Sequence, residues 1–320
     1  MPEMESFRQK VLLGIVLSKD RMQVLLTMRP NNVHQGGRWE FPGGKKKNNE
    51  LSEEALIREM KEEINIDVIN YRRIKRFNYD YPGKNLDIDA RIIEEWSGDI
   101  RSLEGREIKW IDIKELGKVN FPPANRDIIK VLQLPEIYFI TPNLDGYDHE
   151  FIERIDYIIK TGIRLIRFRS TNLRGNKRYE YADKILEKCR KYNCMFIYDG
   201  TPEDAVQLGA DGLHMDSAGL LRTETRPLDN KLYVAASCHN ETEIKKASAI
   251  DADFCVLAPV KDTPSHSNSN SLGWAEFSRL AEMSDIPVYA LGGMRPEDLA
   301  KARLHNAYGL AMISGLWENN

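Results

Sequence analysis

The sequence predicts two domains of different class: an α+β domain over residues 1–134, then an α/β domain, a (β/α)8 barrel of the TIM type, over residues 135–320. Three observations carry that reading. A chain of 320 residues is long enough for two cores. Before Pro135 β-rich runs dominate with few helical patterns; after it, short apolar strands alternate with helical stretches. The alternation supplies eight strands, the number that closes a parallel barrel.

In the first domain "KVLLGIVL" and "QVLLTM" are apolar runs joined by the polar "SKDRM", the pattern of a hairpin. The alternating "RRIKRFNYDY" and "LDIDARIIEEW" flank the turn "PGKN", and a short "EIKWIDI" follows. "PANRDIIKVLQL", with Pro near its start, reads as a closing helix that ends the domain near Leu134.

The barrel strands are "IYFIT", "LIRFRS", "MFIYDG", "GLHMD", "YVAASC", "FCVLAPV", "PVYALGG" and "GLAMISG". Between them lie helical patterns such as "HEFIERIDYIIKTG", "YEYADKILEKCRKYN" and "PEDLAKARLHN". The domain is shorter than the roughly 250 residues usual for this fold, so the helix after the eighth strand is expected to be missing or vestigial. "KDTPSHSNSN", after the sixth strand, is a long polar loop on the face where barrel sites form.

A formal charge of −3, with Lys and Arg dispersed, gives no basic stripe for a nucleic-acid polymer. Cys189, Cys194, Cys238 and Cys255 form no C-x-x-C pair and no disulfide framework, as expected of reduced thiols. The N-terminus is charged, and "VLLGIVL" is too short for a signal segment or a membrane span. A cytoplasmic protein with no membrane partner is the expectation.

One helix crowds like charges. In "SEEALIREMKEEINI", Ser52 is a candidate N-cap, with Glu53 and Glu54 in the first turn. At about 100° per residue, Glu59, Glu62 and Glu63 share a face beside an apolar stripe of Leu56, Ile57, Met60 and Ile64. Like charges at these spacings repel. Hard oxygen ligands so converged suit Mg²⁺ or Mn²⁺, but spacing alone serves a charged helix edge equally well.

The flanking residues add more. Gly44, five residues, Glu50, seven residues, then Arg58–Ile66 resembles the Nudix box over 23 residues. One position departs: Asn65 stands where the family has Gly, and Asn is the next best residue for a left-handed helix terminus. The resemblance implies a Nudix fold and a hydrolase of nucleoside diphosphates linked to another moiety, dependent on divalent cations. It makes Glu59, Glu62 and Glu63 metal ligands, with the Gly44 carbonyl a further one. It makes Glu59 the base, while Arg58 and Glu50 orient helix and loop.

"RWEFPGGK", "EGREIKW" and "FPPAN" further resemble the 8-oxo-dGTP diphosphatases of the MutT type over Lys10–Leu134. That likeness implies a nucleoside triphosphate substrate cleaved to monophosphate and pyrophosphate. It assigns Asn125 to the oxidised purine edge, the Phe41 backbone to the same pocket, and Glu104 to the metal. Arg29 and Lys45 fall on the nucleotide side, and Lys84 stands where a family Arg is expected. An Asn amide can bond a purine edge bidentately, though Asn125 also suits a helix N-cap.

The second half, over Ile137–Trp317, resembles the thiamine-phosphate synthase/TenI family through "RLIRFRS", "MFIYDG", "GADGLHMD", "AASCH" and "VYALGGM". The resemblance implies a phosphorylated small ligand at the barrel mouth. It points to Arg169 and Asp199 on the ligand side and to a phosphate subsite at Gly292, Gly293, Ser314 and Gly315, where tight turns are the alternative reading. Ser237, His214 and His239 are expected at strand ends, the two histidines in a proton transfer or a structural role. Three departures weigh against synthase chemistry: Arg167 replaces a Gln, Thr171 a Lys, and Ser217–Ala218–Gly219 the segment bearing the second metal carboxylate. Three readings therefore stand: a sanitiser of oxidised nucleotides, a hydrolase or binder of thiamine-related pyrophosphates, and a hydrolase regulated by a ligand-binding barrel.

Overall fold

The structure, a computed structural model, describes residues 8–144, 148–262 and 271–318. Backbone packing divides the chain between Leu134 and Pro135 into two compact units, each considered by itself.

The first unit holds two sheets. Strands β1 (Gln9–Val16), β4 (Gly43–Lys45), β5 (Asp67–Tyr81) and β6 (Lys84–Ser97) form one, in the order β4-β1-β6-β5. Strands β2 (Gln23–Met28), β3 (Trp39–Glu40) and β7 (Ile108–Asp112) form the other, in the order β3-β2-β7. The expected hairpin is therefore not formed: β1 and β2 share only the bridge Leu17–Val24. Both edges of β1 are already taken, by β4 antiparallel and by β6 in parallel, so β2 pairs elsewhere.

Helix α1 (Ser52–Ile64) packs Leu56, Met60 and Ile64, all fully buried, onto Leu12, Val16 and Ile93. Ile57, expected in that stripe, is 41% exposed, because 100° per residue carries it past the edge of the buried face. Gly14 lets the helix approach: a Cβ there would stand 2.4 Å from Met60 Sδ. Ser52 is not the cap; the helix begins at Ser52, and Glu54 Oε2 accepts from the Leu51 N–H at 2.7 Å. At the other end Asn65 takes φ 59°, the left-handed turn that stops the helix. Helix α2 (Arg126–Leu132) closes the unit, after a single turn of 3-10 helix over Pro123–Asn125.

The second unit is a closed barrel of eight parallel strands. They are β8 (Ile137–Ile140), β9 (Leu165–Phe168), β10 (Met195–Tyr198), β11 (Gly212–Met215), β12 (Tyr233–Cys238), β13 (Phe254–Leu257), β14 (Val288–Ala290) and β15 (Gly309–Met312). Closure is made by β15 against β8, with Leu310 opposite Ile137. Helices α3 (Asp148–Lys160), α4 (Gly175–Lys191), α5 (Pro202–Leu208), α6 (Ser217–Arg222), α7 (Glu241–Ala249), α8 (Gly273–Met283) and α9 (Leu299–Leu304) follow the strands. The last helix, α10 (Ser314–Trp317), is a single turn. Within the barrel Tyr138 packs edge-on to Phe254 and Tyr289, at centroid distances of 5.4 and 5.8 Å. Residues 263–270 of the polar tract after β13 lie outside the described residues. Among the described residues no helix is long and apolar enough to cross a membrane.

Candidate active site

In the first unit, α1, β4 and the loops around β7 border a cleft of about 810 Å³. Burial of Leu56, Met60 and Ile64 turns Glu59 and Glu63 toward β4. The Glu59 carboxylate lies against Gly44, where a Cβ would stand 2.4 Å from its Cδ and 2.5 Å from each oxygen. Glu63 is 4% exposed, and its Oε2 accepts from the Gly43 N–H at 3.0 Å. Burial pushes its carboxyl up to about 8 despite the nearby Arg106. Glu62 points away: half-exposed and outside the cleft lining, it accepts from Arg58 Nη1 at 3.0 Å.

Arg58 ties these groups together. Its Nε donates to Glu50 Oε1 at 2.7 Å, its Nη1 to Glu59 Oε1 at 2.6 Å, and its Nη2 to the Lys45 carbonyl at 3.2 Å. The hydrogen bond from Arg58 holds the Glu50 carboxyl at about 2. This is the positive charge that the crowded helix needed.

Across the cleft Glu104 pairs with Arg106 Nη2 at 2.6 Å, and Arg106 Nη1 reaches Glu63 Oε1 at 2.7 Å. The structure thus brings Glu59, Glu63 and Glu104 to one cleft and leaves Glu62 at its edge. Among the described residues no group of three or more metal-ligating side chains stands together, and one oxygen of each of Glu59, Glu63 and Glu104 faces a guanidinium. The donor set itself fits a hard divalent cation: it is all oxygen, and Gly44 leaves the Glu59 carboxylate room that any side chain would fill.

The lining also carries cationic side chains. Arg29, Lys45, Lys46, Lys47 and Lys84 line the cleft. Arg29 pairs with Glu40 and donates from Nη2 to the His34 carbonyl at 2.8 Å. Burial lowers the Lys84 pKa, and Lys45 and Arg29 add to that. Asn125, 6% exposed, also lines the cleft. It stands at the N-cap position of α2 but makes no capping bond, and its Nδ2 is buried with no partner among the described residues. The Phe41 ring is fully buried and stacked on Phe121 at 5.5 Å, and Phe41 is not among the residues that line the cleft. Arg106 and Glu40 were not singled out from the sequence. Both lie inside the quoted motifs; the signal was that a buried carboxylate such as Glu63 requires a cation partner.

At the barrel mouth Arg167, only 5% exposed, donates to Asp199 Oδ2 from Nε at 3.0 Å and from Nη2 at 2.6 Å. Its Nη1 reaches Ser237 Oγ at 3.4 Å. His214 is fully buried, with Nε2 2.9 Å from Ser237 Oγ and Nδ1 3.0 Å from the Tyr138 hydroxyl. Burial drives the His214 pKa well down, so this ring is a neutral member of a polar chain crossing the barrel. Arg169, just after β9, is half-buried; burial lowers its guanidinium pKa, with Arg167 adding to the effect. His239 Nδ1 lies 3.0 Å from Glu243 Oε2. Gly292 has φ 107°, and a Cβ there would come within 2.9 Å of Pro259 and Val260; Gly293 has φ 64°. These residues do not fit a divalent metal. Asp199 is held by Arg167, Ser217–Ala218–Gly219 offers no carboxylate, and the adjoining Asp216 caps α6 through the Gly219 N–H.

A family model described as thiamine monophosphate synthase matches residues 137–316, and one described as NUDIX domain matches residues 13–131. A putative thiamine-phosphate synthase 2 of Aquifex aeolicus is 29% identical, covering 57% of this chain and 98% of its own. An 8-oxo-dGTP diphosphatase of Escherichia coli is 28% identical, covering 39% of this chain and 95% of its own. A solved MutT structure, from work on Aliivibrio salmonicida and Vibrio cholerae, is 32% identical over 39% of this chain and 97% of that one, with a TM-score of 0.36.

Proposed function

This chain belongs to the thiamine monophosphate synthase family through residues 137–316 and carries a NUDIX domain over residues 13–131; on that premise we propose that its N-terminal half hydrolyses oxidised purine nucleoside triphosphates, 8-oxo-dGTP in particular. The observation that carries the reading is one cleft with carboxylates at one part and, elsewhere on its lining, a buried Asn125 amide lacking a partner. An unpaired buried N–H is costly until a ligand acceptor meets it, so the site favours a base offering one there.

Glu59, Glu63 and Glu104 would hold a divalent cation, Mg²⁺ or Mn²⁺, which when bound would supply charge neutralisation of the phosphate chain and acidification of water. Glu59, fixed by Arg58 and by its seat on Gly44, accepts the proton of the attacking water. The new bond forms from water oxygen to the β-phosphorus, and the bridge to the α-phosphate breaks. Monophosphate and pyrophosphate leave. Arg29, Lys45 and Lys84 attract the triphosphate into the cleft.

The test is kcat/KM for pyrophosphate release from 8-oxo-dGTP, dGTP and thiamine diphosphate, with and without chelator. A large preference for the oxidised nucleotide, abolished by chelation, is expected. Thiamine diphosphate as the better substrate overturns the reading in favour of a thiamine-related hydrolase.

For the barrel, a ligand-binding role without synthase chemistry is favoured by the Arg167–Asp199 pair, which occupies the surviving metal carboxylate. Titration of the full chain with thiazole phosphate should give the same affinity with and without Mg²⁺. Silence in both titrations removes that role.

A further inference from the structure

Arg106 faces three carboxylates at once. Nη1 is 2.7 Å from Glu63 Oε1 and 3.7 Å from Glu40 Oε1, and Nη2 is 2.6 Å from Glu104 Oε2. Glu63 and Glu104 are two of the groups assigned above to the divalent cation, so one guanidinium holds oxygens that the cation needs. The two compete: an oxygen directed at a guanidinium N–H has a lone pair engaged there, and the two positive charges repel. The Arg106 side chain is 21% exposed on the cleft lining, and its buried Nε has no partner among the described residues. The head is therefore held by these carboxylates and by little else, with the anion-binding cleft beside it.

We propose that Arg106 is an exchangeable cation, which occupies oxygens of Glu63 and Glu104 while the metal is absent, yields them when it arrives, and then turns to the phosphate chain of the substrate. The inference rests on the hydrolase reading. It makes metal and nucleotide binding mutually reinforcing, because the cation that gives up the carboxylates becomes available to the anion. By linkage the coupling is reciprocal.

The experiment is calorimetric titration of the full chain with Mg²⁺, each variant compared with the unaltered chain at the same pH. Without nucleotide, Arg106→Gln should bind Mg²⁺ at least about tenfold tighter than the unaltered chain, the weight of one charge-assisted hydrogen bond. Arg106→Lys, which retains the charge but not the fork, should fall between them. With Mg²⁺ present, Arg106→Gln should bind a non-hydrolysable triphosphate more weakly. A second readout needs only the native side chain: the Arg106 Nε–H resonance, assigned by its loss in Arg106→Lys, should move as Mg²⁺ is added. Equal or weaker Mg²⁺ affinity in Arg106→Gln, or a resonance indifferent to Mg²⁺, overturns the exchange while leaving the hydrolase reading intact. No uptake of Mg²⁺ by the native chain overturns both.

Discussion

The carboxylate of Glu59 rests directly on Gly44, each oxygen 2.5 Å from where a Cβ would be. The glycine in this motif is therefore required by the glutamate fifteen positions later. Its neighbour Gly43, at φ 146° and with its Cβ position 2.1 Å from the Leu12 carbonyl, is fixed by a different contact, the β1–β4 pairing.

Gly44→Ala should displace the Glu59 carboxylate while sparing the core. A loss of about 10²-fold in kcat is expected, the scale of a misplacement of about 1 Å at a reacting group. Steady-state kinetics beside a thermal melt checks it; native turnover with Ala in place removes Glu59 from the chemistry.

Glu63 makes stability depend on pH. Its carboxyl titrates at about 8 in the folded chain against an ordinary 4.5, so the folded state binds that proton more tightly. The stability it contributes is complete below about pH 4.5 and is lost as pH rises through about 8. Without metal, Glu63→Gln should gain thermal stability relative to the native chain between pH 5 and pH 9. A difference that stays constant across that range contradicts this account.

Asn125→Ala removes a buried amide that the free protein leaves unpaired. The free protein should be no less stable, while the kcat/KM ratio of 8-oxo-dGTP to dGTP should drop at least about tenfold, the cost of one lost hydrogen bond of discrimination. An unchanged ratio means that Asn125 does not read the base.

In the barrel, Arg167→Met strands Asp199 at the mouth. A loss of about 3 kcal/mol is expected, toward the low end for a broken buried pair because Asp199 keeps some solvent. Adding Asp199→Asn should restore part of it. Urea denaturation of the single and double variants supplies the comparison; additive losses would show that the two side chains are not coupled.

Much of this was legible in order along the chain. The eight strand patterns all form strands, since each is a short buried run whose composition leaves little choice. The helix with its crowded carboxylates was readable from period alone, and Asn65 behaves as a left-handed terminus. Pairing was less legible. "KVLLGIVL" and "QVLLTM" look like hairpin partners, but strand partners depend on distant residues such as 84–97, which no local pattern names.

Sequence by itself determined the two domain classes and the departures that distinguish the barrel, because periodicity and motif spacing are local properties. Only the tertiary structure decided which charges meet. Three glutamates of one helix share Arg58 and Arg106 unequally: Glu63 is buried, Glu59 is cradled, and Glu62 is left outward. Arg167 likewise closes on Asp199 across two strands. The physical reason is that burial and charge pairing arise between segments far apart in the chain, and their energies depend on distance and on the exclusion of water.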